Sequence, residues 1–195
     1  RKSAARSSKR SGSRGPGMKV GVLADSHDNL GSAADSLSVF LREGAEAILH
    51  LGDVCSPPVL EPFRACGIPL LGVFGNNDAD RAGLQAASGN GFHRGPFVLE
   101  IGGRKVLMSH IFDELQGEIG EGGKFDLILF GHTHRPLTMR VGRALVINPG
   151  EACGFMSGRA TCAVIDLETM VARILDVTAD DEKGDIQAPG AAGRR

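Results

Sequence analysis

The sequence predicts an α/β fold in which two packed mixed sheets carry helices on their outer faces. The first half of the chain alternates buried apolar runs with helical stretches, the rhythm of parallel βαβ units, and the second half changes to hairpins. Five of the apolar runs also stop abruptly in glycine, carboxylate, amide or imidazole residues, which marks one end of the strands as the place to look for function.

Taken in order, "MKVGVLAD" is a buried strand, and a helix is expected from about Ser32 to Glu43, with Leu37, Phe40 and Leu41 on its apolar face. "AEAILHLGDV" is a second strand, "PPVLEPFRAC" a helix whose prolines suit a first turn, and "IPLLGVFGNND" a third strand. "FVLEIGGRKVLMSH" reads as two strands around Gly102-Gly103, and "FDLILFGHTH" as another buried strand. "LTMRVGRALVINPG" and "ATCAVIDLETMVARILDV" read as hairpins. The conformation of "AGLQAASGNGFHRG" does not follow from its pattern.

The flanks differ from this body. Residues 1–17 hold Arg, Lys, Ser and Gly with no acid and no bulky apolar side chain, so they are expected to form a disordered basic extension. Residues 178–195 are polar and rich in Gly, Ala and Pro, the composition of a flexible tail, which leaves 18–177 as the domain. Across the chain 22 Lys and Arg face 23 Asp and Glu, a net charge of −1 that recruits neither nucleic acid nor an anionic membrane. Trp and Tyr are absent, which removes the preferred platforms for stacking on bases. Cys55, Cys66, Cys153 and Cys162 show no metal-binding or redox spacing, and no long apolar run is present; a reducing, cytoplasmic setting is the expectation.

The strand ends carry the chemistry. They hold Asp25-Ser26-His27, Gly52-Asp53, Gly75-Asn76-Asn77-Asp78, Ser109-His110 and Gly131-His132-Thr133-His134, and with them four of the six histidines. Beyond a strand in an extended turn, residues two apart point the same way, so Asp25 with His27 and His132 with His134 can each present two donors to one region. Imidazole, carboxylate and amide oxygen suit Mn, Fe, Zn, Ni or Co, with manganese the first expectation. The donors Asp25, His27, Asp53, Asn76, His110, His132 and His134 are too many for one ion and about right for two sharing a carboxylate.

The order D-x-H, G-D, G-N-x-D, H, G-H-x-H resembles the calcineurin-like metallophosphoesterase superfamily, its small single-domain bacterial and archaeal phosphodiesterases in particular. The resemblance implies a four-layer α/β/β/α sandwich and two divalent metal ions. It places Asp25, His27 and His134 on one metal and Asn76, His110 and His132 on the other, with Asp53 bridging. It further implies hydrolysis of a small phosphodiester by hydroxide that the metals supply, so Ser26 and Ser109 are not needed as nucleophiles.

Three positions depart from the pattern. Many relatives have a histidine where Asn77 stands; an amide can hydrogen-bond the leaving group or phosphate but cannot deliver a proton. Activated or aryl phosphodiesters are therefore expected to outrun monoesters of simple alcohols. Phe112 replaces a further histidine and is expected chiefly to pack. Glu151 stands in "INPGE" where a serine is usual, which puts a phosphate-facing role at that position in doubt. His50 is read as a hydrogen-bonded residue behind the site, His93 and Arg94 as loop surface, Asp28 and Asn29 as helix caps, and Arg81 and Arg135 as solvated. A phosphomonoesterase and a protein-binding scaffold of the same fold remain the alternatives, and self-association is left open.

Overall fold

The computed structural model describes residues 17–119 and 123–177. Apart from residue 17, the expected basic extension and the expected tail lie outside the described residues. The elements are β1 (Lys19–Leu23), α1 (Leu30–Glu43), β2 (Ala47–His50), α2 (Glu61–Ala65), β3 (Leu70–Val73), α3 (Arg81–Ala87), β4 (Phe92–His93), β5 (Phe97–Ile101), β6 (Arg104–Met108), α4 (Gln116–Ile119), β7 (Leu127–Leu129), β8 (Leu137–Val141), β9 (Ala144–Asn148), β10 (Thr161–Asp166) and β11 (Val171–Asp176). Short 3-10 turns at Pro57–Leu60 and Phe112–Leu115 precede α2 and α4.

One sheet has the order β11-β10-β1-β2-β3-β4 and the other β5-β6-β7-β9-β8. In the first, β1 to β4 are parallel and β10-β11 adds an antiparallel edge; in the second, β6, β7 and β9 are parallel between the antiparallel β5 and β8. Strand alternation sorts the core into layers. Val20 and Val22 of β1, Leu49 of β2, Val106 and Met108 of β6, and Leu127 and Leu129 of β7 meet between the sheets. Leu23 and Ile48 face the other way, against Phe40 of α1 and Phe63 of α2, and Leu107, Ile128 and Val146 face Leu115 on the far side. Because both faces of the central strands are covered, these strands read as continuous apolar runs rather than alternating ones. The four-layer sandwich is as expected.

The expected helix at 32–43 starts earlier, at Leu30, because Asn29 caps it: Asn29 Oδ1 accepts from Ser32 N at 3.2 Å. The expected helix at 57–66 is split, the two prolines holding a 3-10 turn before a single α-helical turn. The stretch from Ala82 to Gly95 contains most of α3 and the short strand β4. His93 is thus not loop surface: it pairs with Val73 and stacks on Phe97 with ring centroids 3.9 Å apart.

Gly72 in β3 marks a close approach. A Cβ there would stand 2.7 Å from both the His50 carbonyl oxygen and the Phe92 ring. Backbone cannot yield as a flexible side-chain tip can. Gly72→Ala is therefore expected to lower unfolding free energy by about 1–3 kcal/mol, read from urea denaturation.

Candidate metal centre

The strand ends of the two sheets are laced into one rim. Asp25 N donates to Gly52 O at 3.0 Å and Leu51 N to Leu23 O at 2.8 Å, joining the loops after β1 and β2. Cys153 N donates to Asp25 O at 3.1 Å, and Gly131 N to His110 O at 3.0 Å, which brings in the loops after β9, β7 and β6. The backbone here is unusual. Asp25, His27, Asp53, His132 and His134 all have positive φ, between 42° and 66°, a region uncommon for residues other than Gly although Asn, Asp and His enter it more often than the rest. Such conformations cost about 1–3 kcal/mol each, and they persist where the surrounding structure dictates them.

The turns aim side chains at a common point. Asp25, buried completely, sets Oδ1 3.9 Å from His27 Nε2 and 3.7 Å from His134 Nε2, while Oδ2 accepts from His132 N at 3.0 Å. Asp53 Oδ2 lies 3.7 Å from His27 Nε2 and 3.3 Å from His110 Nε2. His110 Nε2 is also 3.0 Å from Asn76 Oδ1. Two overlapping groups of donors result, Asp25 with His27 and His134, and Asp25 with Asp53 and His110. Convergence comes from left-handed turns rather than from the extended geometry expected. His134 faces Asp25, whereas the exposed His132 sets its ring edge-on to His110, centroids 5.1 Å apart.

The tautomers suit metal binding. His110 Nδ1 is 2.8 Å from Leu51 O, a carbonyl that can only accept, so Nδ1 carries the proton and the neutral ring turns its Nε2 lone pair toward Asp53 and Asn76. His134 Nδ1 likewise donates to Glu151 Oε2 at 2.8 Å and leaves Nε2 facing Asp25. His27 Nε2 and Asp25 Oδ1 are buried without a hydrogen-bond partner among the described residues. Lone pairs facing lone pairs in a buried site repel unless a cation lies among them, and the nitrogen and oxygen donors fit a divalent transition ion. Without a cation, protons must balance the site. Burial, together with the neighbouring Asp53 charge, pushes the Asp25 carboxyl up to about 6 against the pull of His110 and His134. Burial by itself would lower the His110 imidazole, but the hydrogen bond and charge of Asp53 outweigh it and raise it. For Asp53 burial pushes up, and the hydrogen bonds from His110 and Asn77 prevail and hold it well below the usual carboxylate range.

Two carboxylates build the site from behind, and for Glu151 spacing alone did not reveal the role. Asp78, almost fully buried, accepts from Gly75 N at 2.6 Å, Asp53 N at 3.1 Å and Cys55 N at 2.8 Å, so the loops after β2 and β3 hang on one side chain. Glu151 is completely buried and accepts from His134 Nδ1, from Cys153 Sγ at 3.2 Å, from Met156 N at 3.0 Å and from Ser157 N. Burial, joined by the hydrogen bond to Glu151 and the charges of Glu151 and Asp25, pushes the Cys153 thiol up to about 12, so it acts there as an S–H donor. His134, Glu151 and Cys153 also lie close enough to surround an ion, but with Glu151 this fully occupied the trio orients His134 instead. The usual serine at 151 hid this; only an acid near a proposed ligand histidine would have signalled it.

The remaining candidates settle as follows. His50 is buried, accepts from Gly52 N at 3.2 Å through Nδ1 and meets Ser26 Oγ at 3.1 Å through Nε2. Burial, aided by the neighbouring His110, lowers its imidazole to about 3, which keeps it neutral. Ser109 Oγ donates to Glu114, so both serine hydroxyls are engaged behind the site. Asn77 gives both its backbone N–H and its side-chain amide to Asp53, each at 2.7 Å. Phe112 packs on Phe130, 4.8 Å between centroids, and also lines a cleft of about 830 Å³ beside His132 and Arg135. A smaller cleft of about 240 Å³ opens beside Asn76 and His110.

This geometry can be set beside known proteins. A family model, the calcineurin-like phosphoesterase superfamily domain, matches residues 18–170. The chain belongs to the calcineurin-like phosphoesterase superfamily. It is 30% identical over 156 residues to a phosphodiesterase of Methanocaldococcus jannaschii, covering 77% of this chain and 94% of that protein. A probable metallophosphoesterase of Methanothermobacter thermautotrophicus is 27% identical over 135 residues, 68% of this chain and 76% of the relative. Among solved structures, an archaeal phosphodiesterase superposes with a TM-score of 0.75 at 30% identity, covering 82% of this chain and 99% of that one. The Escherichia coli phosphoesterase Yfce, 18% identical, shares the fold with a TM-score of 0.66, over 87% and 98% of the two chains. Members of the superfamily are phosphoric ester hydrolases, and this chain is an enzyme of that class.

Glu151 gives the site a pH signature. Burial pushes its carboxyl up, but hydrogen bonds from His134, Ser157 and Met156 outweigh that and hold it at about 2 against an ordinary 4.5. A carboxylate lowered on folding stabilises above its unfolded value and loses that contribution as pH falls through the folded one. Glutamine has one acceptor oxygen and cannot serve His134 and Ser157 together. Glu151→Gln is expected to be less stable than the parent at pH 7, and the gap measured by urea denaturation in chelator should close as pH falls from 4.5 toward about 2.

Proposed function

We propose that the protein is a phosphodiesterase that acts on a small phosphodiester with two divalent cations, manganese the first candidate. Asp25, His27 and His134 hold one cation and Asn76, His110 and His132 the other, with Asp53 between them. One observation carries this reading: Asp53 Oδ2 lies 3.7 Å from His27 Nε2 and 3.3 Å from His110 Nε2, between the two sets of donors, while Asp25 Oδ1 and His27 Nε2 are buried with no hydrogen-bond partner among the described residues. The relative named a phosphodiesterase supports the diester over the monoester.

When bound, such cations act as Lewis acids toward a phosphoryl oxygen and acidify water, so the protein needs no covalent nucleophile. The chain supplies the rest. Leu51 O and Glu151 fix the tautomers of His110 and His134, so each presents Nε2 without reorganising. Asn77 ties down both oxygens of Asp53 and so sets the direction of the carboxylate between the two groups. An amide so engaged, and aprotic in the acid–base sense, passes no proton to a departing alkoxide. The ester oxygen must leave as a stable anion. The wide cleft beside His132, walled by Phe112, Phe130, Pro136 and Leu137, suits an aryl or otherwise apolar ester arm.

Chelation should abolish hydrolysis of bis(p-nitrophenyl) phosphate and added Mn²⁺ should restore it; full turnover by metal-free protein would overturn the proposal. Replacing a donor, as in His110→Ala, is expected to lower kcat/KM by at least about 100-fold, since residues that only orient donors cost about 10–100-fold. Initial rates should favour aryl diesters over p-nitrophenyl phosphate and over alkyl monoesters. Asn77→His, which restores a proton carrier next to Asp53, should raise monoester turnover.

A further inference from the structure

The smaller cleft beside Asn76 and His110 is lined by two arginines, Arg81 and Arg94, with Phe74 and Ile111 among its other walls. Both arginines are underused by the protein itself. Arg81 Nε donates to the Asp78 carbonyl at 3.3 Å and its guanidinium lies over the Phe74 ring, 5.4 Å from the centroid. Its terminal NH2 groups make no hydrogen bond or ion pair within the described residues. Arg94, exposed, makes no ion pair or hydrogen bond among the described residues. The one carboxylate lining the cleft is Glu114, and it is engaged by the Ser109 hydroxyl. The cleft is therefore net cationic, and it abuts the donors His110 and Asn76 directly.

We infer that this cleft is a subsite for a second anionic group of the substrate. Resting on the phosphodiesterase reading, this names the substrate class as a phosphodiester with a phosphate or carboxylate on one ester arm. A planar guanidinium beside an aromatic ring carries paired N–H donors that match the oxygens of such a group, and a second arginine lining the same cleft adds to its positive charge. The wide apolar cleft on the other side of Ile111 would take the other arm, and Ile111 lines both.

A matched pair of substrates tests this: thymidine 5′-(p-nitrophenyl phosphate) with and without a 3′-phosphate, given to Mn²⁺-loaded full-length protein and to the Arg81→Met/Arg94→Met variant. The 3′-phosphate should raise kcat/KM at least about 10-fold through KM in the parent protein, and the double variant should bring the ratio to about 1. No preference in the parent, or a preference that survives in the variant, would overturn the subsite. If neither compound is hydrolysed, the phosphodiesterase reading fails on its own, and the subsite is decided by equilibrium dialysis of thymidine 3′,5′-bisphosphate against thymidine 5′-monophosphate. Tighter binding of the bisphosphate that is lost in the variant supports it; equal binding to the parent means that Arg81 and Arg94 are solvated surface only, and sinks it. A thermal melt of the variant shows that the fold is retained.

Discussion

Two carboxylates with almost no access to water, Asp25 and Asp53, are what the rest of this structure is arranged around. An ionised carboxylate in such a place is costly unless charge and hydrogen bonds compensate it. Here part of the compensation comes from neighbouring loops: the His132 amide for Asp25 and the Asn77 amides for Asp53. Three histidines facing two acids still leave lone pairs unpaired, and a demand for positive charge remains at the centre. The fold's rim is the means of placing that demand.

That placement depends on rigidity behind the donors. The two sheets fix the strand ends, and backbone hydrogen bonds between the loops carry that register into the site. Asp78 and Glu151 then convert loops into supports, each accepting from several N–H groups that would otherwise be orphaned. Asn148 does the same for the loop after β7, donating to Gly131 O at 2.8 Å and Thr133 Oγ1 at 3.0 Å. Residues that never touch a ligand thus set how closely the donors converge.

Much of this was legible in the sequence. The apolar runs of β1, β2, β3, β6 and β7 are buried on both faces and so announce themselves, and the polar residues that end them have no role in the core. What stayed hidden shares a cause: it depends on contacts distant in sequence. Glu151 was read as a lost serine because its partner His134 lies in another loop, and Asn77 as a group for the leaving oxygen because its bond to Asp53 spans two strand ends. The short helix α3 and strand β4 were missed since only a few residues form each and tertiary pairing, not periodicity, defines them. The left-handed turns at His132 and His134 were hidden too, because a two-residue spacing says nothing of backbone handedness.

The two clefts that share Ile111 as a wall are unlike in size and in charge. A phosphodiester has two ester oxygens that are chemically similar but topologically distinct once bound. With a broad apolar space on one side and a narrow cationic one on the other, an unsymmetrical diester has one preferred way round. With the arms seated as proposed, the two clefts decide regiochemistry: which of two P–O bonds lies opposite the attacking oxygen, and so which arm departs as the alcohol and which keeps the phosphate.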